Sequence, residues 1–189
     1  MGRIVSNFFI SLDGVVEAPD QWHFPYFDDE MGAIVGAGME TTGAFLLGRR
    51  LYGEWSEYWT TNTDEGGFGA WINNLPKYVV THRPVEGDVW NNTTVITDDH
   101  VAAVQGIKDS TDKDISMSGC ATTVRWLLAN NLLDELALLV HPIAVLRGQR
   151  LFEETGFEDA GRLPLKLVHS SALSSGVLHL RYSPVQLPA

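Results

Sequence analysis

Short apolar segments alternate with amphipathic ones along most of the chain, and this pattern predicts strands that alternate with helices. Runs of apolar and β-branched residues predict strands at 4–11, 44–48, 77–81, 93–97, 115–118 and 134–141. Apolar residues at helical spacing predict helices at 27–38, 51–59, 98–108 and 121–130. Two β-rich segments, 165–171 and 177–182, then predict a closing hairpin.

Polar and glycine-rich residues divide these elements. Three acids at 28–30 precede the first helix, where they complement its dipole, and Asp98 is expected to cap the helix that ends at Lys108. Residues 15–25 carry two prolines and 60–69 are polar and glycine-rich, so both predict loops. The order predicts one α/β domain spanning 1–189, with a mostly parallel central sheet, helices on both faces and a C-terminal antiparallel hairpin.

Composition narrows the class of protein. The chain has 189 residues, is 44% hydrophobic and contains no apolar run near the roughly 18 residues that span a bilayer. Its single cysteine, Cys120, excludes an internal disulfide and a cysteine-rich zinc site. The first residues lead directly into a predicted strand, so we expect no signal peptide. We therefore expect a cytoplasmic protein. A formal net charge of -11 argues against nucleic acid as a partner, and the histidines show no metal-ligand spacing.

Basic side chains follow two of the predicted strands, although the chain has only 13 Lys and Arg. Gly48, Arg49 and Arg50 end one strand, and Thr81, His82 and Arg83 end the next. The carboxyl ends of parallel strands bind ligands, and the arginine fork matches phosphate geometry. The two ends predict one anionic ligand held between them. The alternative is a pair of solvated surface turns.

Small residues lie between the predicted strand at 115–118 and the following helix. Such residues let a ligand approach the backbone, and the N–H groups of the helix start favour a phosphate. The candidates are Ser118, Gly119, Cys120, Ala121, Thr122 and Thr123. With one glycine the signal is weaker than a full glycine-rich signature, and the alternative is close packing of a strand–helix turn. No base that would activate the Cys120 thiol is apparent, so we interpret it as a packing residue.

Several of these motifs resemble the reductase domain of riboflavin biosynthesis, a family that shares the dihydrofolate reductase fold. The run from Asn7 to Gly14, which ends Ser-Leu-Asp-Gly, resembles its first strand. Residues 48–52 resemble its Gly-Arg-x-Thr-Tyr motif, with Leu51 in place of the usual Thr and thus one fewer hydroxyl for the cofactor phosphate. Segments 80–83, 132–136 and 142–152 also match, although residues 118–120 stand where the family prefers Gly-Gly. The resemblance covers nearly the whole chain.

The resemblance implies a dihydrofolate reductase-like three-layer sandwich, NADP(H) as cofactor and a homodimer. Arg49, Arg50, His82 and Arg83 would face the 2′-phosphate, and residues 118–123 the pyrophosphate. The apolar strand at 136–140 could supply the dimer face. One cysteine excludes the zinc deaminase module of the bifunctional riboflavin enzymes.

The segment from Trp22 to Asp28 resembles the Trp-x-x-Pro-x-Asp motif of dihydrofolate reductases, with the acid one residue further on. Asp28 is the first candidate proton donor and Asp13 the second; the alternatives are a first-turn acid and a structural turn residue. The aromatic loop, with Trp22, His23, Phe24 and Tyr26, is expected to stack on a flat substrate, unless it forms a core or dimer patch.

The implied function is an NADPH-dependent reductase of a pteridine- or pyrimidine-like heterocycle. One alternative is a riboflavin-pathway reductase of a phosphorylated ribosylaminopyrimidine, which needs a second phosphate site from Arg147 and Arg150. Another is a non-catalytic nucleotide-binding protein with the same fold.

Overall fold

A single sheet of eight strands runs through the part of the chain that the computed structural model describes, residues 1–62, 67–153 and 162–185. The strands are β1 Ile4–Ser11, β2 Thr42–Gly48, β3 Lys77–Val80, β4 Thr93–Ile96, β5 Asp114–Ser118, β6 Glu135–His141, β7 Leu165–Ala172 and β8 Leu178–Pro184. The helices are α1 Asp29–Thr41, α2 Arg49–Trp59, α3 Phe68–Asn74, α4 His100–Ser110 and α5 Ala121–Ala129. Two single-turn 3₁₀ helices, Pro19–Gln21 and Phe24–Tyr26, lie in the loop after β1.

The sheet order is β4-β3-β2-β5-β1-β6-β8-β7. The first six strands pair in parallel, whereas β8 pairs antiparallel with both β6 and β7. The expected fold class, a mostly parallel sheet with a C-terminal antiparallel hairpin, is therefore confirmed. The apolar run of β1 is explained by its place between β5 and β6, since a central parallel strand is covered on both faces.

Alternate residues of each strand face opposite layers. On one face, Phe8, Leu46 and Leu138 share a large core with residues of α4 and α5. On the other face the core is divided in two: Met31 of α1 packs with Leu139, while a second cluster lies under α2 and α3. This division leaves a space between α1 and the α2–α3 pair, over the middle of the sheet.

The predicted elements agree with the structure within a few residues, with two differences in the helical layers. The loop predicted at 60–69 overlaps α3, which begins at Phe68 after a glycine; residues 63–66 of that loop lie outside the described ranges. Asp98 does not cap α4. Asp99 occupies the N-cap with φ 45° and makes no side-chain capping bond, so α4 starts at His100 without the predicted cap.

The third difference concerns the apolar strand expected to offer a dimer face. β6 lies between β1 and β8, and its residues 136–139 are at most 8% exposed, so this strand belongs to the interior. Exposed apolar side chains are found instead on the edge strand β7, where Leu167 and Val168 are each 50% exposed. Within the described ranges, no helix is long and apolar enough to cross a membrane.

Candidate functional site

The ends of β2, β3 and β5 meet at one edge of the sheet, because these strands are parallel neighbours. The turns that follow them, 48–50, 81–83 and 118–123, form what we call the basic edge. The Gly48 N–H donates to the Cys120 Sγ at 3.2 Å, which joins the first turn to the third. A Cβ at Gly48 would collide with the Thr123 Oγ1, so only glycine permits this close approach.

Two helices begin at the basic edge without a side-chain cap. α2 starts after Gly48 and α5 after Cys120, and neither N-cap residue makes a side-chain capping bond. Gly119 has φ +69°, a backbone conformation that turns the chain from β5 into α5 at low steric cost. The first N–H groups of both helices, with their dipoles, favour an anion at this edge.

The three arginines of the basic edge differ in whether acidic side chains already bind them. Arg50 donates to Glu17 Oε1 at 3.0 Å and to Glu54 Oε1 at 3.1 Å, and these bonds raise the pKa of its guanidinium. Arg49 is half-buried and Arg83 exposed, and neither forms an ion pair with any residue that the structure describes. Arg49 and Arg83 are therefore the cations free to meet a phosphate.

The turn after β3 is organised by its own side chains. Thr81 Oγ1 accepts from the Arg83 N–H at 3.1 Å and donates to the Arg83 carbonyl at 2.8 Å. The His82 ring meets the ring of His100 edge-on at 4.6 Å, and His100 Nε2 lies 3.0 Å from the Thr81 carbonyl oxygen. Sequence reasoning missed His100; its position as the first residue of a helix after β4 was the available signal.

Cys120 is a structural residue of the basic edge. It is 8% exposed, and burial raises the pKa of its thiol from 9.0 to about 12. A protonated thiol is a poor nucleophile, and here it accepts the Gly48 N–H.

A cavity of about 320 Å³ fills the space between α1 and the α2–α3 pair. Eight aromatic residues line it: Phe8, Phe9, Phe27, Phe45, Trp55, Trp59, Phe68 and Trp71. The polar wall residues are Asn7, His23, Thr42, Ser116, Ser118 and His179. No Asp, Glu, Lys or Arg lines the cavity among the described residues. Ser118 belongs both to this wall and to the basic edge, so the two adjoin.

Two wall residues carry free hydrogen-bonding groups: Asn7, which sequence reasoning missed, and His23, which belongs to the aromatic loop predicted to stack on the substrate. Asn7 is exposed although it lies within the central strand, paired with Ser118 on one side and Ala137 on the other. His23 is 6% exposed and stacks on Phe9 at 4.4 Å, and its Nδ1 has no hydrogen-bond partner among the described residues. Burial, and then the neighbouring His141, lower the pKa of His23. A polar residue inside the apolar run of β1 was the signal for Asn7.

The structure does not place Trp22, Phe24 or Tyr26 of the predicted aromatic loop on the cavity wall. Trp22 is 7% exposed, donates from Nε1 to the Glu17 carbonyl at 3.2 Å and meets His141 edge-on. Tyr26 also packs edge-on against His141, whereas Phe24 is 64% exposed. The aromatic loop reaches the cavity through His23 and Phe27 instead.

The two candidate proton donors both have structural contacts. Asp28 is the N-cap of α1: its Oδ1 accepts the Met31 N–H at 2.9 Å, and this bond lowers the pKa of the carboxyl. Asp13 accepts from Ser11 Oγ at 2.7 Å and from the N–H groups of Val145 and Leu146. These bonds lower the pKa of Asp13 to about 2, the hydroxyl of Ser11 being the main cause.

Both carboxyls are therefore ionised near neutral pH, and neither lies on the cavity wall. These contacts favour the alternative interpretation, a capping acid and a structural turn residue, over a proton donor.

The proposed second phosphate site is also absent from the cavity wall. Arg150 donates from Nε to the Asp13 carbonyl at 3.1 Å, and Arg147 is exposed to solvent. In the described part of the chain, no group of three or more His, Cys, Asp or Glu could hold a metal ion.

Comparison with known proteins agrees with this geometry. The family model described as the RibD C-terminal domain matches residues 3–179. The uncharacterized protein YyaP of Bacillus subtilis is 28% identical over 184 residues, which cover 95% of this chain and 94% of YyaP.

Two solved structures share the fold. A Shewanella sp. PV-4 protein assigned to riboflavin biosynthesis aligns with a TM-score of 0.71 at 16% identity, over 97% of this chain and 99% of its own. Dihydrofolate reductase from Enterococcus faecalis, solved with NADP(H), aligns with a TM-score of 0.61 at 14% identity, over 98% of each chain.

Proposed function

The chain belongs to the RibD C-terminal domain family, and we propose that it is an NADPH-dependent reductase of a pteridine- or pyrimidine-like heterocycle. The observation that carries the proposal is the junction at Ser118, where the basic edge meets the aromatic cavity. A dinucleotide laid along that edge would bring its nicotinamide end to the cavity wall. The Enterococcus faecalis enzyme of the same fold was solved with NADP(H), which supports this choice of cofactor.

The residues of the basic edge fit this cofactor. Arg49 and Arg83 would bind the 2′-phosphate, with His82 beside them and Arg50 contributing less because two glutamates hold it. The uncapped start of α5, with Thr122 and Thr123, would receive the pyrophosphate. Gly48, Thr81, Gly119, Cys120 and Ala121 would shape the backbone against it. When bound, NADPH would supply the hydride.

In this proposal the cavity holds the heterocycle between aromatic side chains beside Ser118. The titratable wall residues, His23 and His179, both have a pKa lowered mainly by burial, so they are largely uncharged at neutral pH. With no carboxyl on the described wall, we propose that water supplies the proton. Asp28 and Asp13 remain the side-chain candidates to be excluded by mutation.

The lack of an acid on the described wall also favours a second candidate function, a nucleotide-binding protein without turnover. The riboflavin-pathway alternative has less support, because no described wall residue is a cation.

We also propose a cytoplasmic homodimer. The apolar side chains of Leu167 and Val168 lie on an exposed edge strand, and such edges invite pairing with a second chain. A mass measurement in solution at micromolar concentration tests the dimer; a purely monomeric protein would contradict it.

The function is tested with purified protein, NADPH or NADH, and a panel of heterocycles, by following the loss of reduced-nicotinamide absorbance. We expect turnover with at least one heterocycle, and faster with NADPH. Tight NADPH binding without turnover would select the nucleotide-binding alternative. If neither cofactor binds, both candidate functions are wrong.

A further inference from the structure

We infer that the cavity binds an uncharged, flat heterocycle through an amide-type edge, and that it discriminates against phosphorylated substrates. Reduction of the bound heterocycle rests on the proposed function, whereas binding of the heterocycle in the cavity does not depend on it.

The wall favours a flat aromatic ligand. The cavity volume of about 320 Å³ is at the lower end of the roughly 300–1,000 Å³ usual for small-molecule sites. Phe27 on one side and Trp55, Trp59 and Trp71 on the other offer ring faces and edges rather than polar groups. Rings pack well against such walls, because offset-stacked and edge-to-face contacts add to the burial of apolar area.

A phosphate would find no partner here. The cation that follows the wall residue His179 along β8 is Arg181, and its Nε and Nη2 both donate to the Glu135 carboxylate, at 2.6 and 2.8 Å. The helix that starts beside Phe27 does not attract anions either, because Asp28 caps it and Asp29 and Glu30 occupy its first turn. Desolvating a phosphate next to these acids would be unfavourable.

Asn7 provides the specific contact. Its amide carries both donors and an acceptor, and it makes no hydrogen bond within the described ranges although it lies in the middle of the central strand. Strands flank Asn7 on both sides and Asn7 lines the cavity, so its exposed side chain is open to that space. A ring edge with an adjacent N–H and C=O would pair with that amide in two hydrogen bonds.

His23 gives a second sign that a polar ligand atom belongs in the cavity. The side chain is more than nine-tenths buried, and its Nδ1 is left without a partner among the described residues. Buried polar atoms are nearly always hydrogen-bonded in folded proteins. This nitrogen has almost no accessible surface, so a polar ligand atom would complete it after a small rotation of the ring towards the cavity.

Riboflavin and flavin mononucleotide test the inference as a matched pair. Both carry the same three-ring isoalloxazine system with its imide edge, and they differ only by a phosphate. Binding is measured by flavin fluorescence quenching without NADPH, so it does not depend on turnover. We expect riboflavin to bind at least tenfold more tightly. Equal or tighter binding of flavin mononucleotide, or binding of neither, would overturn the inference.

The role of Asn7 is tested with Asn7→Leu, and Thr94→Leu serves as the control because Thr94 is an exposed strand residue outside the cavity. Asn7→Leu should weaken riboflavin binding at least tenfold, and Thr94→Leu should leave it unchanged. Asn7→Ala serves if the leucine variant does not fold. Unchanged affinity in a folded Asn7 variant refutes the assigned contact. Flavin binding by a protein that reduces no heterocycle of the panel with NADPH would refute the proposed function alone.

Discussion

Replacing Arg49 and Arg83 together by alanine should weaken NADPH binding by about 100-fold and leave NADH binding nearly unchanged. These are the two arginines of the basic edge without an ion pair among the described residues. The phosphate that distinguishes the cofactors is therefore expected to depend on them.

The magnitude follows from two lost contacts. A hydrogen bond to a charged group contributes about 1.5–3 kcal/mol, so two contribute about 3–6 kcal/mol. Arg83 is exposed and Arg49 half-buried, so solvent screening places the sum near the lower end. About 3 kcal/mol corresponds to roughly a 100-fold change in affinity.

Isothermal titration calorimetry with both cofactors is the assay, and Arg50→Ala is the matched control. Arg50 is held by Glu17 and Glu54, so its loss should weaken NADPH binding by less than about tenfold. Unchanged NADPH affinity in the double variant, or a larger loss in the Arg50 variant, would refute this account of the basic edge.

Three further predictions concern proton transfer, the pH dependence of stability, and the space beside two glycines. Asp28→Asn and Asp13→Asn should leave the pH–rate profile near neutrality unchanged; lost turnover with intact cofactor affinity would show an acid role. The lowered pKa of Asp13 means that the unmutated protein should lose stability as the pH falls from 3.8 towards 2, and Asp13→Asn should not show this loss. Burial lowers the pKa of Lys77 from 10.5 to about 8, so the unfolded chain binds more protons between these values and stability should rise there with pH. Denaturant titrations should show that Lys77→Met removes this rise of about 3 kcal/mol, and a variant with the same pH dependence would contradict it. Gly53→Ala, with open space at its Cβ, should stabilise the fold by about 0.5–1 kcal/mol. Gly48→Ala should reduce both stability and NADPH affinity because its Cβ meets Thr123, and thermal unfolding with calorimetry checks the pair.

The strands were predictable because their signal is local. Residues 4–11 are apolar at most positions, as is typical of a central parallel strand, and β1 has these bounds in the structure. α3 was missed because its seven residues follow a polar, glycine-rich segment. Its apolar residues Phe68, Trp71 and Ile72 do have helical spacing, so the signal was present but short.

The basic edge was also visible in the sequence, since each of its turns directly follows a strand. The cavity was not, because its wall is assembled from strands, helices and a loop that are far apart in the chain. Asn7 and His23 lie in two separate motifs of the sequence, and only the fold brings them to one space. The contacts of the candidate proton donors were hidden for a related reason: the sequence shows an acid near a site but not whether backbone N–H groups already hold it, as at Asp28.

The most direct test of the central claim is hydride transfer itself. NADPH that carries deuterium at the transferring carbon of the nicotinamide, prepared separately with each stereochemistry, is mixed with excess protein and a heterocycle that supports turnover. Mass spectrometry of the heterocycle after a single turnover then reports the transfer. The account predicts a reduced product that carries one deuterium from only one of the two forms, because the proposed site at Ser118 would hold one face of the cofactor against the cavity. A reduced product without deuterium from either form, or NADPH that binds and transfers to no heterocycle in the panel, would contradict it.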